Sequence, residues 1–327
     1  MNVLMIGGTG FLGYYAVHEL QRRGHLVTLL ALPPLPAEGL FSPDTVIKLA
    51  NLNTLTDDEL ERLLYGQDGL VFAAGADDRQ TPQAPSYPFF YKHNVETPKR
   101  LFELARKAGV KRAVVLGSYF AYFNSIWPEL RLADHHPYIR SRVEQEKVLI
   151  EAGGSSMAVM VLELPYIFGS MPGRVPLWKP LIEYIDSPVP LFYTRGGTNC
   201  VAVEHVGEAI AGALEMGQAG QSYLVGDENL TWEELLGKIC AALGKKKRVI
   251  TLPDWMAVAG GWALKQVHRI KRLQSGLDPV ELIKLQTADT FFDASIAQTA
   301  LGFKGGGLDE AIRKTVKACI SSTKPAP

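Results

Sequence analysis

The chain has few cysteines, no excess of either charge and no long apolar run, and each shortage excludes something. Its three cysteines, Cys200, Cys240 and Cys319, lie far apart without zinc spacing, so neither a metal knuckle nor a disulfide framework is expected. They read as reduced thiols of a cytoplasmic protein. Lysine plus arginine number 34 and aspartate plus glutamate 34, a balance that argues against a phosphate-backbone ligand; no nucleic-acid partner is expected. No apolar stretch reaches the roughly 18 residues that a membrane span needs, and no membrane partner is expected either. The opening Met1-Asn2-Val3-Leu4-Met5-Ile6 has no basic leader and reads as a buried strand, not a signal peptide. Asp134-His135-His136 offers no third ligand, so these histidines read as solvated loop residues and no metal is expected.

What is present is an ordinary globular balance, with 47% of 327 residues hydrophobic. Short apolar runs at 3–6, 26–30, 46–49, 70–74, 113–116 and 158–162 alternate with amphipathic stretches at 11–23, 57–64, 89–108 and 138–152. Nearly continuous apolar strands belong to parallel sheets covered on both faces. The alternation therefore predicts an α/β chain built on a Rossmann-type doubly wound parallel sheet with right-handed crossovers. After Pro165, prolines and glycines crowd residues 165–197, a loop-rich texture that commonly builds a substrate site. The remainder reads as mostly helical, with Thr231 as an N-cap ahead of Glu233 and Glu234.

Gly7-Gly8-Thr9-Gly10-Phe11-Leu12-Gly13 follows the first strand and opens the first helix. Glycine is needed there for a tight turn, for close approach of main chain to a pyrophosphate, and for helix–strand contact. The helix N-terminus then offers free N–H groups to the phosphates. The segment predicts a site for NAD or NADP, with Gly7, Thr9, Gly10, Phe11, Leu12 and Gly13 around the cofactor. An acid about twenty residues on would mark NAD, and an arginine NADP. Neither stands between His25 and Glu38, so the preference is unreadable. Asn51 and Leu52, after the third strand, are candidates for the adenine edge. The domain division expected is 1–165 for the dinucleotide, with a returning segment near 200–215, and 166–327 for a small-molecule substrate; a homodimer stays open.

From these motifs the chain resembles the extended short-chain dehydrogenase/reductase family, the NAD-dependent epimerase/dehydratase group, over nearly its whole length. Ala73-Ala74-Gly75 resembles the family's fourth-strand motif and Asn94-Val95 its structural asparagine. Ser118 resembles the catalytic serine, Pro137-Tyr138 the start of the catalytic helix, and Leu164-Pro165-Tyr166-Ile167-Phe168-Gly169 the loop under the nicotinamide. Phe292-Asp293-Ala294-Ser295 and Ala300-Leu301-Gly302-Phe303 resemble its closing pattern. The resemblance implies an oxidoreductase acting on a hydroxyl or carbonyl of a small molecule. Ser118 would orient the substrate oxygen, and Tyr138 would serve as general acid/base. Ala73, Ala74, Gly75, Pro165, Tyr166 and Ile167 would add to the cofactor site.

One departure stands out. The family motif supplies a cation as Tyr-x-x-x-Lys, whereas Tyr138-Ile139-Arg140-Ser141-Arg142 ends in arginine, and no tyrosine here has lysine four residues later. Arg142 lies about 40° around the helix from Tyr138, on its face. It would hold the ribose and tune the tyrosine, but its planar fork is longer than an ammonium stem. A dinucleotide-binding redox sensor or scaffold with impaired catalysis is the alternative. Leu252-Pro253-Asp254-Trp255-Met256 resembles the hydroxysteroid and dihydroflavonol reductase branch, while Pro137-Tyr138 and Phe168-Gly169 fit nucleotide-sugar epimerases too. The apolar run 255–264, followed by Lys265, His268, Arg269, Lys271 and Arg272, fits three places. It could cover the substrate cavity, meet a partner subunit, or lie on a membrane surface. His205 stands where the family usually has aspartate and reads as a local structural change.

Overall fold

The computed structural model describes residues 1–34 and 37–322. Its first half alternates β1 (Asn2–Ile6), α1 (Phe11–Arg22), β2 (Leu26–Ala31), β3 (Val46–Leu49), α2 (Asp57–Leu64) and β4 (Gly69–Phe72). There follow α3 (Tyr87–Tyr91), a π turn (Lys92–Glu96), α4 (Thr97–Lys107), β5 (Arg112–Ser118), α5 (Phe120–Ile126), α6 (Leu132–His135), α7 (Pro137–Gly153) and β6 (Ala158–Leu164). The second half holds β7 (Tyr166–Phe168), α8 (Lys179–Asp186), β8 (Leu191–Tyr193), β9 (Gly197–Ala202), α9 (Val203–Met216), β10 (Ser222–Leu224), β11 (Glu228–Thr231), α10 (Trp232–Ala242) and β12 (Val249–Thr251). The chain then runs through α11 (Asp254–Ile270), α12 (Leu282–Gln286), β13 (Asp289–Thr290), α13 (Ser295–Leu301) and α14 (Leu308–Ser321).

Seven parallel strands form one sheet in the order β10-β6-β5-β4-β1-β2-β3, a Rossmann-type arrangement. Side chains alternate between its faces. Val3 and Met5 of β1 pack with Ala16, Val17 and Leu20 of α1 and with Ile210 and Leu214 of α9. Leu4 and Ile6 pack on the opposite side with Leu60, Leu101, Phe102 and Leu149. A period of two with apolar residues at both parities is what two covered faces require. Thus α9 and β10, both from the second half, complete the large sheet and its cover.

The predicted helix 89–108 is not one regular element. The π turn interrupts it and carries Asn94, fully buried, whose Nδ2 donates to Ala76 O (3.2 Å) and Ser141 Oγ (3.0 Å) while its Oδ1 accepts from Ala76 N (2.8 Å). The extra residue rotates the asparagine inward, a common use of π turns. The tail is mostly helical, and short strands lie among its helices. Short strands β7, β9, β11 and β13 make a second sheet, and β8 pairs with β12. Thr231 does cap α10, in a capping box with Glu234.

Candidate active site

At the end of β1 the chain turns at Gly7, with φ +82°, where a Cβ would stand 2.7 Å from Ala73 O. A Cβ on Gly13 would stand 2.3 Å from Gly7 O. β1, β4 and α1 therefore meet main chain against main chain. α1 starts at Gly10 with no side-chain cap and no acidic residue in its first turn, so its N–H groups face an anion unchallenged. These features fit a dinucleotide's diphosphate.

From this cradle a cavity of about 520 Å³ extends along the carboxyl ends of the strands. Gly10, Phe11, Leu12, Gly13, Ala73, Ala74 and Gly75 line one stretch; Ser118, Tyr138, Arg142, Pro165, Tyr166 and Ile167 line another. Gly7 and Thr9 belong to the turn without lining the cavity. Asn51 and Leu52 are not brought to it either. Asn51 Oδ1 accepts from the Asn53 N–H (3.0 Å) and braces its own turn, and Leu52 is buried in the core beside Leu60.

Ser118 ends β5, and its Oγ accepts from Phe120 N at 3.4 Å. Tyr138 sits in the first turn of α7, its backbone N–H held by Gly276 O (2.9 Å) and its ring edge-on to Phe90. Burial pushes the Tyr138 phenol above its ordinary range. The Arg142 charge opposes this, Asp78 adds to it, and hydrogen bonds from Ser118 and Arg142 oppose it again. The Arg142 guanidinium carbon lies 5.1 Å from the Tyr138 ring centre. Its Nη1 donates to Leu116 O (3.1 Å) and Gln145 Oε1 (2.9 Å), and its Nη2 to Ala76 O (3.2 Å). The buried Nε is left without a partner. Arg142 thus ties the end of β5 to the loop after β4 as well as facing the tyrosine.

The cavity also contains residues that the sequence did not single out. Asp77, Asp78 and Arg79 enter from the loop after β4, and Tyr119, Met171, Arg174 and Trp178 from elsewhere. Burial raises the Asp78 carboxyl, Arg79 opposes it and Asp77 reinforces it. The Arg174 Nη1 lies 4.0 Å from where a Cβ on Gly10 would be, directly over the cradle, and no bond or ion pair holds its side chain among the described residues. Trp178 donates to Ile167 O (2.8 Å) and stacks on Phe168, which pins the loop. A cationic residue in the proline-rich stretch was the only sequence signal for Arg174.

The neighbouring histidines divide. His135 is exposed, but His136 is buried and its Nδ1 accepts the Asp278 N–H (2.9 Å), which corrects the expectation of two solvated residues. His205 Nδ1 lies 2.8 Å from both oxygens of Asp227, a pairing that raises the imidazole although burial opposes it. Cys200, Cys240 and Cys319 are all buried. No group of three or more metal-ligating side chains occurs among the described residues.

Known proteins resemble the chain in sequence or in fold. Sterol-4-alpha-carboxylate 3-dehydrogenase of Mus musculus is 22% identical, over 96% of this chain and 90% of that one. A nucleoside-diphosphate-sugar epimerase from Pseudomonas aeruginosa superposes with a TM-score of 0.74 at 19% identity, over 99% of this chain and 98% of that one. MoeE5, solved with UDP-glucuronic acid and NAD, superposes at 0.68 with 19% identity, over 98% and 100%. The model of the NAD dependent epimerase/dehydratase family matches residues 3–226, which hold the glycine cradle, the structural asparagine and the serine–tyrosine pair, and the chain belongs to that family.

Proposed function

We propose that the protein is an NAD-dependent oxidoreductase acting on a hydroxyl or carbonyl of a small, largely apolar molecule. The observation that carries this reading is a continuous cavity joining the diphosphate cradle to Tyr138. Ser118 holds the substrate oxygen while Tyr138 gives or takes the proton, a role worth roughly 10²–10⁴ in rate. The phenol raised by burial keeps its proton for donation during reduction. The Arg142 charge limits that rise and makes the reverse step accessible. When bound, NAD supplies the hydride exchange and, oxidised, a positive charge beside the phenol. Gly10, Leu12, Ala74 and Ile167 would hold it.

Tyr119, Phe120, Tyr166, Val175, Leu177 and Trp178 line the substrate end. Such walls suit a flat apolar ring system, in keeping with the sterol dehydrogenase relative. A nucleotide sugar would need cations for its own diphosphate; Arg79 is paired with Asp77 at 2.8 Å, and Arg174 stands over the glycine cradle at the cofactor end. One observation favours the alternative of a dinucleotide sensor with impaired chemistry. Three of the five N–H donors of Arg142 already serve main-chain or glutamine oxygens, leaving Nε and one Nη2 hydrogen for the ribose.

The two readings separate in one experiment. NADH binding is titrated by fluorescence, and nicotinamide absorbance is followed with a panel of steroid, flavonoid and nucleotide-sugar carbonyls. Catalysis requires turnover with a member of the panel, lost by at least about 100-fold in Tyr138→Phe while NADH affinity holds. Full turnover by Tyr138→Phe overturns the assignment. Tight NADH binding without turnover on any compound favours the sensor.

A further inference from the structure

Helix α11 is attached to the molecule by one narrow side. A Cβ on Gly261 would stand 2.3 Å from Pro279 O, so the helix backbone rests directly on the following segment. His268 accepts from or donates to Ser275 Oγ at 2.8 Å, and Lys265 pairs with Asp278. At 100° per residue, Gly261 and His268 lie about 220–240° around from Trp255. The opposite side is apolar and open. Trp255, Trp262 and Ile270 are 71%, 60% and 82% exposed, and no residue of the helix is buried. These three fall within about 80° of one another. A contiguous apolar face of this kind on a protein surface marks a contact.

Charge identifies the contact. From Trp255 to Leu277 there is no aspartate or glutamate, although the whole chain has as many acids as bases. Lys265 is paired, but Arg269, Lys271 and Arg272 have no ion-pair partner among the described residues. A second copy meeting this face about a two-fold axis would bring these cations near the partner's Asp254 at best, and Asp254 is held by Arg195 at 2.9 Å. The run from Trp255 to Ile270 itself offers them no other acid. An anionic lipid surface complements them, since tryptophans favour the headgroup level and arginine and lysine favour acidic headgroups. No helix among the described residues is long and apolar enough to cross a membrane, so the helix lies on the surface. The segment after it hydrogen-bonds back through Gln274 N to Pro82 O and Gly276 N to Gln80 O, beside the cavity-lining Asp77, Asp78 and Arg79.

We propose that the outward face of α11 docks the protein on anionic bilayers, with Trp255 and Trp262 in the interface and Arg269 beside them on the headgroups. The proposal runs against the expectation of no membrane partner and is independent of the cofactor reading. The test is co-sedimentation of the full chain with vesicles of phosphatidylcholine alone and of phosphatidylcholine with phosphatidylserine, without NAD. Tryptophan emission and sedimentation velocity accompany it. The expected result is binding to the mixed vesicles with a blue shift, weakened about fivefold in Arg269→Gln and abolished in Trp255→Gln/Trp262→Gln. Circular dichroism and NADH titration of the double variant verify its fold. No binding to mixed vesicles, or binding that the folded double variant keeps, overturns the proposal. A dimer that the double variant dissolves, with no vesicle binding, overturns it in favour of a second copy.

Discussion

Arg174 is a residue whose environment says more than its sequence context. It lies over the glycine cradle, within 4.0 Å of the space above Gly10, and nothing acidic holds it. A guanidinium there meets whatever anion the α1 N-terminus attracts. Arg174→Gln is expected to weaken NADH binding about three- to tenfold in low salt, an advantage that fades toward about 1 M salt. Arg131→Gln, an exposed arginine paired with Asp134 at 2.7 Å, should leave the affinity alone. Equal affinities for the Arg174 variant and the parent, measured by fluorescence titration at low salt, would remove Arg174 from the cofactor site. At this scale the site was legible where chemistry is fixed by spacing. Ser118, Tyr138 and Arg142 meet because a strand end and the first two turns of α7 are rigid. Asn51 and Leu52 had no such rigidity behind them. Each lies on a loop, and one side chain braces that loop while the other fills the core.

At the scale of elements, the π turn carries the most consequence for the least sequence signal. Apolar periodicity marked residues 89–108 as helical but gave no sign of a change in register, because the segments on either side of the π turn are each too short to fix a phase. Six strands of the large sheet were legible because their runs are apolar, while β10, with 3 residues, was not. The second sheet was not, because β7 and β13 have 3 and 2 residues and carry no period. The π turn aims Asn94 at Ala76, whose carbonyl also accepts Arg142 Nη2. Asn94 therefore couples α7 to the loop that lines the cofactor cavity. Asn94→Ala leaves the buried Ala76 N–H without its acceptor and is expected to cost about 2–4 kcal/mol in urea unfolding. NADH affinity should fall with it, because the 73–76 loop loses its anchor. A stable Asn94→Ala protein with unchanged NADH affinity would mean that the turn serves packing alone.

For the whole molecule, stability against pH follows from two buried sites. Glu163 on β6 and Glu146 on α7 share a hydrogen bond beneath β10, where Ser222 Oγ also reaches Glu146 at 3.5 Å. Burial raises both carboxyls; Glu163, with the Glu146 charge beside it, rises further, to about 9. A raised folded-state pKa means that the native protein keeps a proton the unfolded chain has lost. The stability is complete below the ordinary carboxylate range and drains away as pH climbs toward about 9. His136 acts in the opposite sense. Burial lowers its pKa to about 4, although Asp278 opposes this, so protonation favours the unfolded chain and stability rises between about 4 and the ordinary histidine range. The two slopes offset each other up to about pH 6.5, where the histidine is spent. Above that the carboxyl pair dominates the fall, with His205, raised by Asp227, adding to it in the same direction. The unfolding free energy should fall by roughly 1–3 kcal/mol between pH 6.5 and 9. Glu163→Gln, which cannot ionise, should flatten that fall and be more stable than the parent at pH 9. Urea midpoints at the two pH values decide it: a decline of the same size in the variant would assign the pH dependence to other groups.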